Sequence, residues 1–180
     1  MNHSLQVHGQ LLLLDQTSGE FTYTPQKDWS GELSFRFSAN DGIAIVSSEV
    51  QIVVEAEPDT PILVAPPARG DEDTWIRLDV TARSDDSDDS EICTLVVTGM
   101  HEGSSFRHVE KFGPRAGHVQ ELQMRNERLV FPCEDLIDRR LEYRPPPNSE
   151  GDVQLQVAVL VTEKTNRRSH QVQEPCNLIS

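Results

Sequence analysis

The stretch Val153-Gln154-Leu155-Gln156-Val157-Ala158-Val159 decides the fold class. Branched apolar side chains fall on every second residue, which is the period of a strand with one face in a core. No window elsewhere in the 180 residues sustains a helical stripe over three turns. The rest of the chain repeats the strand pattern in shorter form. Leu33, Phe35 and Phe37 alternate with Ser34, Arg36 and Ser38, and Phe21 and Tyr23 share a face. Ile43 to Glu55, Trp75 to Val80, Ile92 to Thr98, Ser104 to Phe112, His118 to Met124, Arg128 to Phe131, Leu141 to Arg144 and His170 to Gln173 read as further strands. Glu134 to Arg139 has room for one helical turn. Turn formers separate these segments: Thr17-Ser18-Gly19, Asp28-Trp29-Ser30-Gly31, Asn40-Asp41-Gly42 and Pro145-Pro146-Pro147. Many short strands with frequent turns predict antiparallel sandwiches.

Ala56 to Gly70 holds four prolines in fifteen residues, which excludes a central strand. It reads as a stiff connection, with a domain boundary near Asp59. The part after it is long enough for a whole sandwich. The part before it offers about four strands where an immunoglobulin-type sandwich takes about seven, so the chain is expected to start inside a domain.

Net charge is -14, from 16 Lys plus Arg against 30 Asp plus Glu. That argues against a protein that grips a phosphate backbone, which needs a basic stripe. The excess is local, because residues 101–180 are nearly balanced, at 12 acidic and 11 basic. The densest block is Ser84 to Glu91, with carboxylates at Asp85, Asp86, Asp88, Asp89 and Glu91, and Asp71-Glu72-Asp73 precedes it. Packed carboxylates repel unless a cation sits among them. Calcium takes six to eight oxygens and tolerates flexible acidic loops. Two such loops at the same end of a sandwich would supply them; a solvated acidic loop is the alternative. Asp41 and Asp59 are further possible ligands, or turn formers.

Catalytic constellations are missing from the sequence: no Gly-x-Ser-x-Gly elbow, no phosphate-binding glycine loop and no zincin histidines. Three cysteines allow one disulfide with a thiol left over, or three free thiols. Trp29 and Trp75 stand next to turns, either as packing at a strand end or as a sugar platform.

His8-Gly9-Gln10-Leu11, Ser18 to Pro25, Trp29-Ser30-Gly31, Phe35-Arg36-Phe37, Asn40-Asp41-Gly42, Val50 to Val54 and Asp59-Thr60-Pro61 together resemble the cadherin-like tandem repeats of large bacterial surface proteins. The later part is similar to the immunoglobulin-like extender domains of RTX-type giant adhesins, through Glu72-Asp73-Thr74, Asp85 to Glu91, Val96 to Gly99, Gly103, Leu141 to Asn148, Gly151 and the strand ending at Glu163. Ser90 stands where that family's acidic motif has glycine.

The expected architecture is therefore all-β, as tandem antiparallel immunoglobulin/cadherin-like β-sandwiches with the first truncated. A partial cadherin-like repeat covers 1–57, a proline-rich linker 58–70 and a calcium-binding extender domain 71–180. The resemblance implies calcium held by Glu72, Asp73, Asp85, Asp88, Glu91 and Glu163, with Asp59 added from the linker. It implies a segment of an extracellular or cell-surface adhesion protein, a calcium-rigidified spacer and not an enzyme. Its partners would be neighbouring repeats of the same chain and a cell-surface or matrix ligand, with no nucleic acid and no transmembrane segment. The competing expectation is a non-catalytic carbohydrate- or ligand-binding accessory module of a secreted enzyme.

Overall fold

A computed structural model of the chain describes residues 8–15, 17–86, 89–149 and 151–179. The chain is all-β and forms two compact units, 1–57 and 58–180.

Unit 1 consists of two antiparallel hairpins, β1 (Gly9–Asp15) with β2 (Glu20–Pro25), and β3 (Gly31–Asn40) with β4 (Ile45–Val54). The second hairpin turns at Asn40-Asp41-Gly42. The Asp41 carboxylate accepts the N–H groups of Ala44 (2.8 Å) and Ile43 (2.9 Å). These bonds, Ala44 first, hold its carboxyl below the usual range. Gly42 takes φ +89°, where a side chain would be strained. Asp41 is thus a turn former, with its Oδ1 engaged by its own loop. Leu33, Phe35, Val50 and Ile52 share one face of β3–β4, and Phe21 meets Phe35 edge-on at 5.1 Å. Further along the same face Phe37 and Val46 are exposed.

Unit 2 is a two-sheet sandwich. One sheet has the order β11 (Val119–Leu122), β10 (Ser105–Glu110), β13 (Arg139–Arg144), β7 (Ile76–Leu78). The other has the order β12 (Leu129–Pro132), β9 (Glu91–Thr98), β14 (Val153–Glu163), β15 (Ser169–Ile179), β6 (Ala68–Arg69). A short pair, β5 (Ile62–Val64) with β8 (Thr81–Arg83), completes it. All ladders are antiparallel except β15–β6. The helix α1 (Asp135–Asp138) is a single turn.

The alternation along β14 reaches the core as read: Val153, Leu155, Val157, Val159 and Val161 are all at most 5% exposed. Each such burial is worth about 1.5–3 kcal/mol before entropy is charged against it. Register puts them in rows with the inward residues of β9 and β12, such as Leu129–Val97–Val157 and Phe131–Leu95–Val159. Phe106, Leu141 and Tyr143 close the core from the facing sheet. Gly99 ends β9 at φ +79°, and a Cβ there would stand 2.8 Å from the Gln154 carbonyl oxygen.

Two expectations need correction. Residues 58–70 are not a free connection, because β5 and β6 lie within them and belong to unit 2. Pro61, Pro66 and Pro67 flank these strands at the rim, where no ladder needs their missing N–H. The last strand is also longer than His170–Gln173. It runs from Ser169 to Ile179 through Pro175, on the outermost long strand of its sheet.

Candidate functional site

The inward alternation of two neighbouring strands ends in charge. On β9 the inward residues are Val97, Leu95, Cys93 and then Glu91; on β14 they are Val157, Val159, Val161 and then Glu163. Glu91 and Glu163 are direct cross-strand partners, 7% and 2% exposed. Two carboxylates so placed repel each other and lose hydration, which is costly unless donors or a cation compensate.

Glu91 is well provided with donors. Its Oε1 accepts the Asp59 N–H at 2.5 Å and its Oε2 accepts the Ser84 hydroxyl. Its own N–H donates to Asp86 Oδ2 at 3.1 Å. The Glu91 side chain thereby ties the segment entering β5 to the end of β8, and its main-chain N–H adds Asp86 of the acidic loop. The Glu163 N–H donates to the Arg168 carbonyl at 2.9 Å, which starts the hairpin into β15. Lys164 braces the loop from that hairpin, its Nζ 2.9 Å from Asp89 Oδ1. Asp85 is exposed and lies 3.6 Å from Arg83.

Asp59, Asp85, Glu91 and Glu163 therefore gather at one end of unit 2. Asp88 lies outside the described residues. Glu72 and Asp73 do not join them, which corrects the expectation of two acidic loops at one end. Asp73 Oδ1 accepts the Asn148 N–H at 3.3 Å, beside the turn that leads into β14. That is the Val153 end, and ten strand steps, about 33 Å, separate it from Glu163. The chain climbs from one end to the other through β7 and β8, so loops a dozen residues apart lie at opposite poles.

The donor chemistry at the Glu91–Glu163 end suits a hard cation. Among the described residues, however, no group of three or more His, Cys, Asp or Glu side chains is arranged to hold a metal. The fit to calcium thus rests on the Glu91–Glu163 pair, with loop oxygens left to complete any shell.

One row further into the core, Cys93 and Cys133 form a disulfide, and the Cys133 N–H donates to the Cys93 carbonyl at 3.0 Å. Cys176 is the buried free thiol, and burial pushes its pKa up. Neither spacing nor parity separates this pairing from the others, since Cys176 is also inward, opposite Leu155 on β14; register does, because Cys133 follows the end of β12 directly beside Cys93 on β9.

Sequence reading missed a second charged group. On the outer face of the other sheet Glu142 is buried between Arg107 (2.7 Å) and Arg140 (2.9 Å). Arg107 and Arg144 also stack on Trp75, at 4.1 and 4.9 Å from its ring centroid. Trp29 is stacked on His8 at 4.9 Å. Both indoles are engaged by the protein's own cations or rings, which does not favour a sugar platform. His108, 1% exposed on the inner face, meets the Phe131 ring edge-on at 4.7 Å, and its Nε2 has no hydrogen-bond partner among the described residues.

No family model matches the chain, and no curated protein matches it. Among solved structures it is similar to a conjugative transposon lipoprotein from Bacteroides eggerthii, at 11% identity and TM-score 0.30, covering 65% of this chain and 94% of that one. It is also similar to domains 4 and 5 of the S-layer protein SbsC, at 11% identity and TM-score 0.31, covering 100% of this chain and 81% of that one. Scores at this level carry no argument about function. Among the described residues no helix is long and apolar enough to cross a membrane, which says nothing of β-barrels.

Proposed function

We propose that this chain is a non-catalytic β-module of an exported or cell-surface protein, a spacer of the adhesion type whose second unit is stiffened by calcium. The observation that carries the reading is the buried Glu91–Glu163 pair. A divalent cation between these carboxylates would cancel their repulsion. Glu91 and Glu163 would hold it, with oxygens of Asp59 and Asp86 at the same end of the unit. Because Glu91 also binds the Asp59 N–H, fixing Glu91 fixes the segment by which the chain enters β5. Such a clamp is what a load-bearing spacer needs. The disulfide supports an oxidising compartment, since such bonds persist outside the cytosol and are rare within it.

The test is calorimetric titration of chelator-treated protein with calcium, repeated with magnesium. Saturable calcium binding that Glu163→Gln removes is the expected result. No heat with either ion would sink the calcium reading and leave a plain spacer.

A further inference from the structure

The two outer faces of the unit 2 sandwich differ in charge. In β12, β9, β14 and β15 the residues that alternate with the core set point away from the sandwich, and none of them is Asp, Glu, Lys, Arg or His. Register sets them in rows across the four strands, such as Val130–Val96–Ala158–Gln173 and Pro132–Thr94–Leu160–Gln171. Val130 is 55% exposed and Ile92, one row further along, 44%. The chain is 26% charged, so a solvent-facing sheet surface without charge stands out. The outer face of the other sheet instead carries Arg77, Arg107, Arg140, Glu142 and Arg144. Glu174, whose carboxylate accepts the Ala65 N–H, stands opposite Val157 in the inward set. The segment after β5 therefore lies on the core side of β15 and not on the uncharged face.

The polar residues of this face are tied to one another across the strands. Thr162 Oγ1 and Ser169 Oγ share a hydrogen bond at 3.0 Å. Gln173 Nε2 donates to Gln156 Oε1 at 3.1 Å, and Gln154 Nε2 donates to Asn177 Oδ1 at 3.0 Å. Polar groups already paired within a face lose less when water leaves it than groups that depend on water.

We propose that this face packs against the same face of a second copy of the chain, sheet on sheet. An uncharged face selects an uncharged partner, because a charge laid against it loses hydration and finds nothing to pair with. The arginine-bearing outer face of the other sheet is disfavoured as the partner on that ground. A front-to-back stack is thereby set aside, and the contact closes on itself about a two-fold axis. The sheets would lie about 10 Å apart with strands within about 30° of each other. Four strands about 4.8 Å apart, and about eight residues long at about 3.3 Å each, cover roughly 500 Å² per copy. Two copies then bury about 1,000 Å², the lower end of specific interfaces, so the dimer dissociates on dilution. Each chain carries -14, so the copies repel at long range and salt should tighten the dimer. The pairing is independent of the calcium reading.

Sedimentation equilibrium of the full chain in chelator, over a wide concentration range and at about 0.15 and 0.5 M salt, tests it. The expected result is a reversible monomer–dimer equilibrium, tighter at the higher salt. Thr94→Lys sets a charge in the middle of the face and should weaken association about tenfold or more. Val130→Lys, at an exposed position, should weaken it with the thermal melt unchanged, and it decides the matter if Thr94→Lys fails to fold. Arg77→Ser, on the outer face of the other sheet, should leave association as it was. A monomer at every concentration overturns the proposal. So does a dimer indifferent to both lysine variants, or one that Arg77→Ser weakens, since either places association on another surface.

Discussion

Units 1 and 2 are written in the same strand alphabet and reach different states of burial. In unit 2, Leu95, Val97, Leu141, Tyr143, Leu155, Val157, Val159 and Val161 are all 0% exposed. In unit 1 the one aromatic that reaches 8% is Phe35, while Phe37 on the same face is 51% exposed and Val46 66%. The difference is the second layer. A hairpin of ten paired residues buries an apolar face only where another sheet lies across it. Against Phe35 the β1–β2 hairpin contributes Phe21, while Phe37 and Val46 stay largely exposed among the described residues.

The largest expected effect sharpens that contrast through the disulfide. Cys93 and Cys133 are 40 residues apart, so opening the bond should cost unit 2 about 4 kcal/mol on the chain-entropy account. Cys93→Ala/Cys133→Ala, followed by thermal unfolding, checks this. The transition of unit 2 should fall by many degrees, and signals from unit 1 should not move. Equal losses in both units would break the comparison.

A smaller effect separates the two by pH. His108 is buried in unit 2, and burial lowers its pKa below 6.5. Asp135 and Glu110 oppose that shift and Arg139 adds to it. The unfolded chain takes up the proton that the folded unit refuses. The His108 contribution to stability is therefore present above about pH 6.5 and is lost as pH falls through that value towards the folded pKa. Melts of unit 2 at stepwise lower pH should decline in this window, and His108→Leu should flatten the decline. An unchanged slope would mean that other groups carry it.

The smallest effect belongs to unit 1. Phe37→Ser alters an exposed side chain, so unfolding should shift by less than about 0.5 kcal/mol. A loss of several times that, measured by denaturant titration, would show that Phe37 is covered in solution.

The strands were legible in the sequence because alternation is a local property. Even Glu163 could be placed, as the next inward position after Val161. Its partner could not, since the Glu91–Glu163 contact depends on the register of strands about seventy residues apart. The prolines at 58, 61, 66 and 67 misled for a related reason: they exclude a central strand but not the rim strands β5 and β6. Glu72 and Asp73 were misplaced because closeness in sequence says nothing of which pole a loop occupies once a strand intervenes. The Arg107–Glu142 and Cys93–Cys133 pairs share that limit, being 35 and 40 residues apart.

The central claim is the proposal that a cation sits at the Glu91–Glu163 end of unit 2. Thermal melts of the full chain in calcium and in chelator test it most directly, with Glu163→Gln alongside. Calcium at a hundred times its dissociation constant should stabilise unit 2 by about 2.7 kcal/mol, and Glu163→Gln should abolish the difference. Coincident melts of the unsubstituted chain in calcium and in chelator would contradict the account.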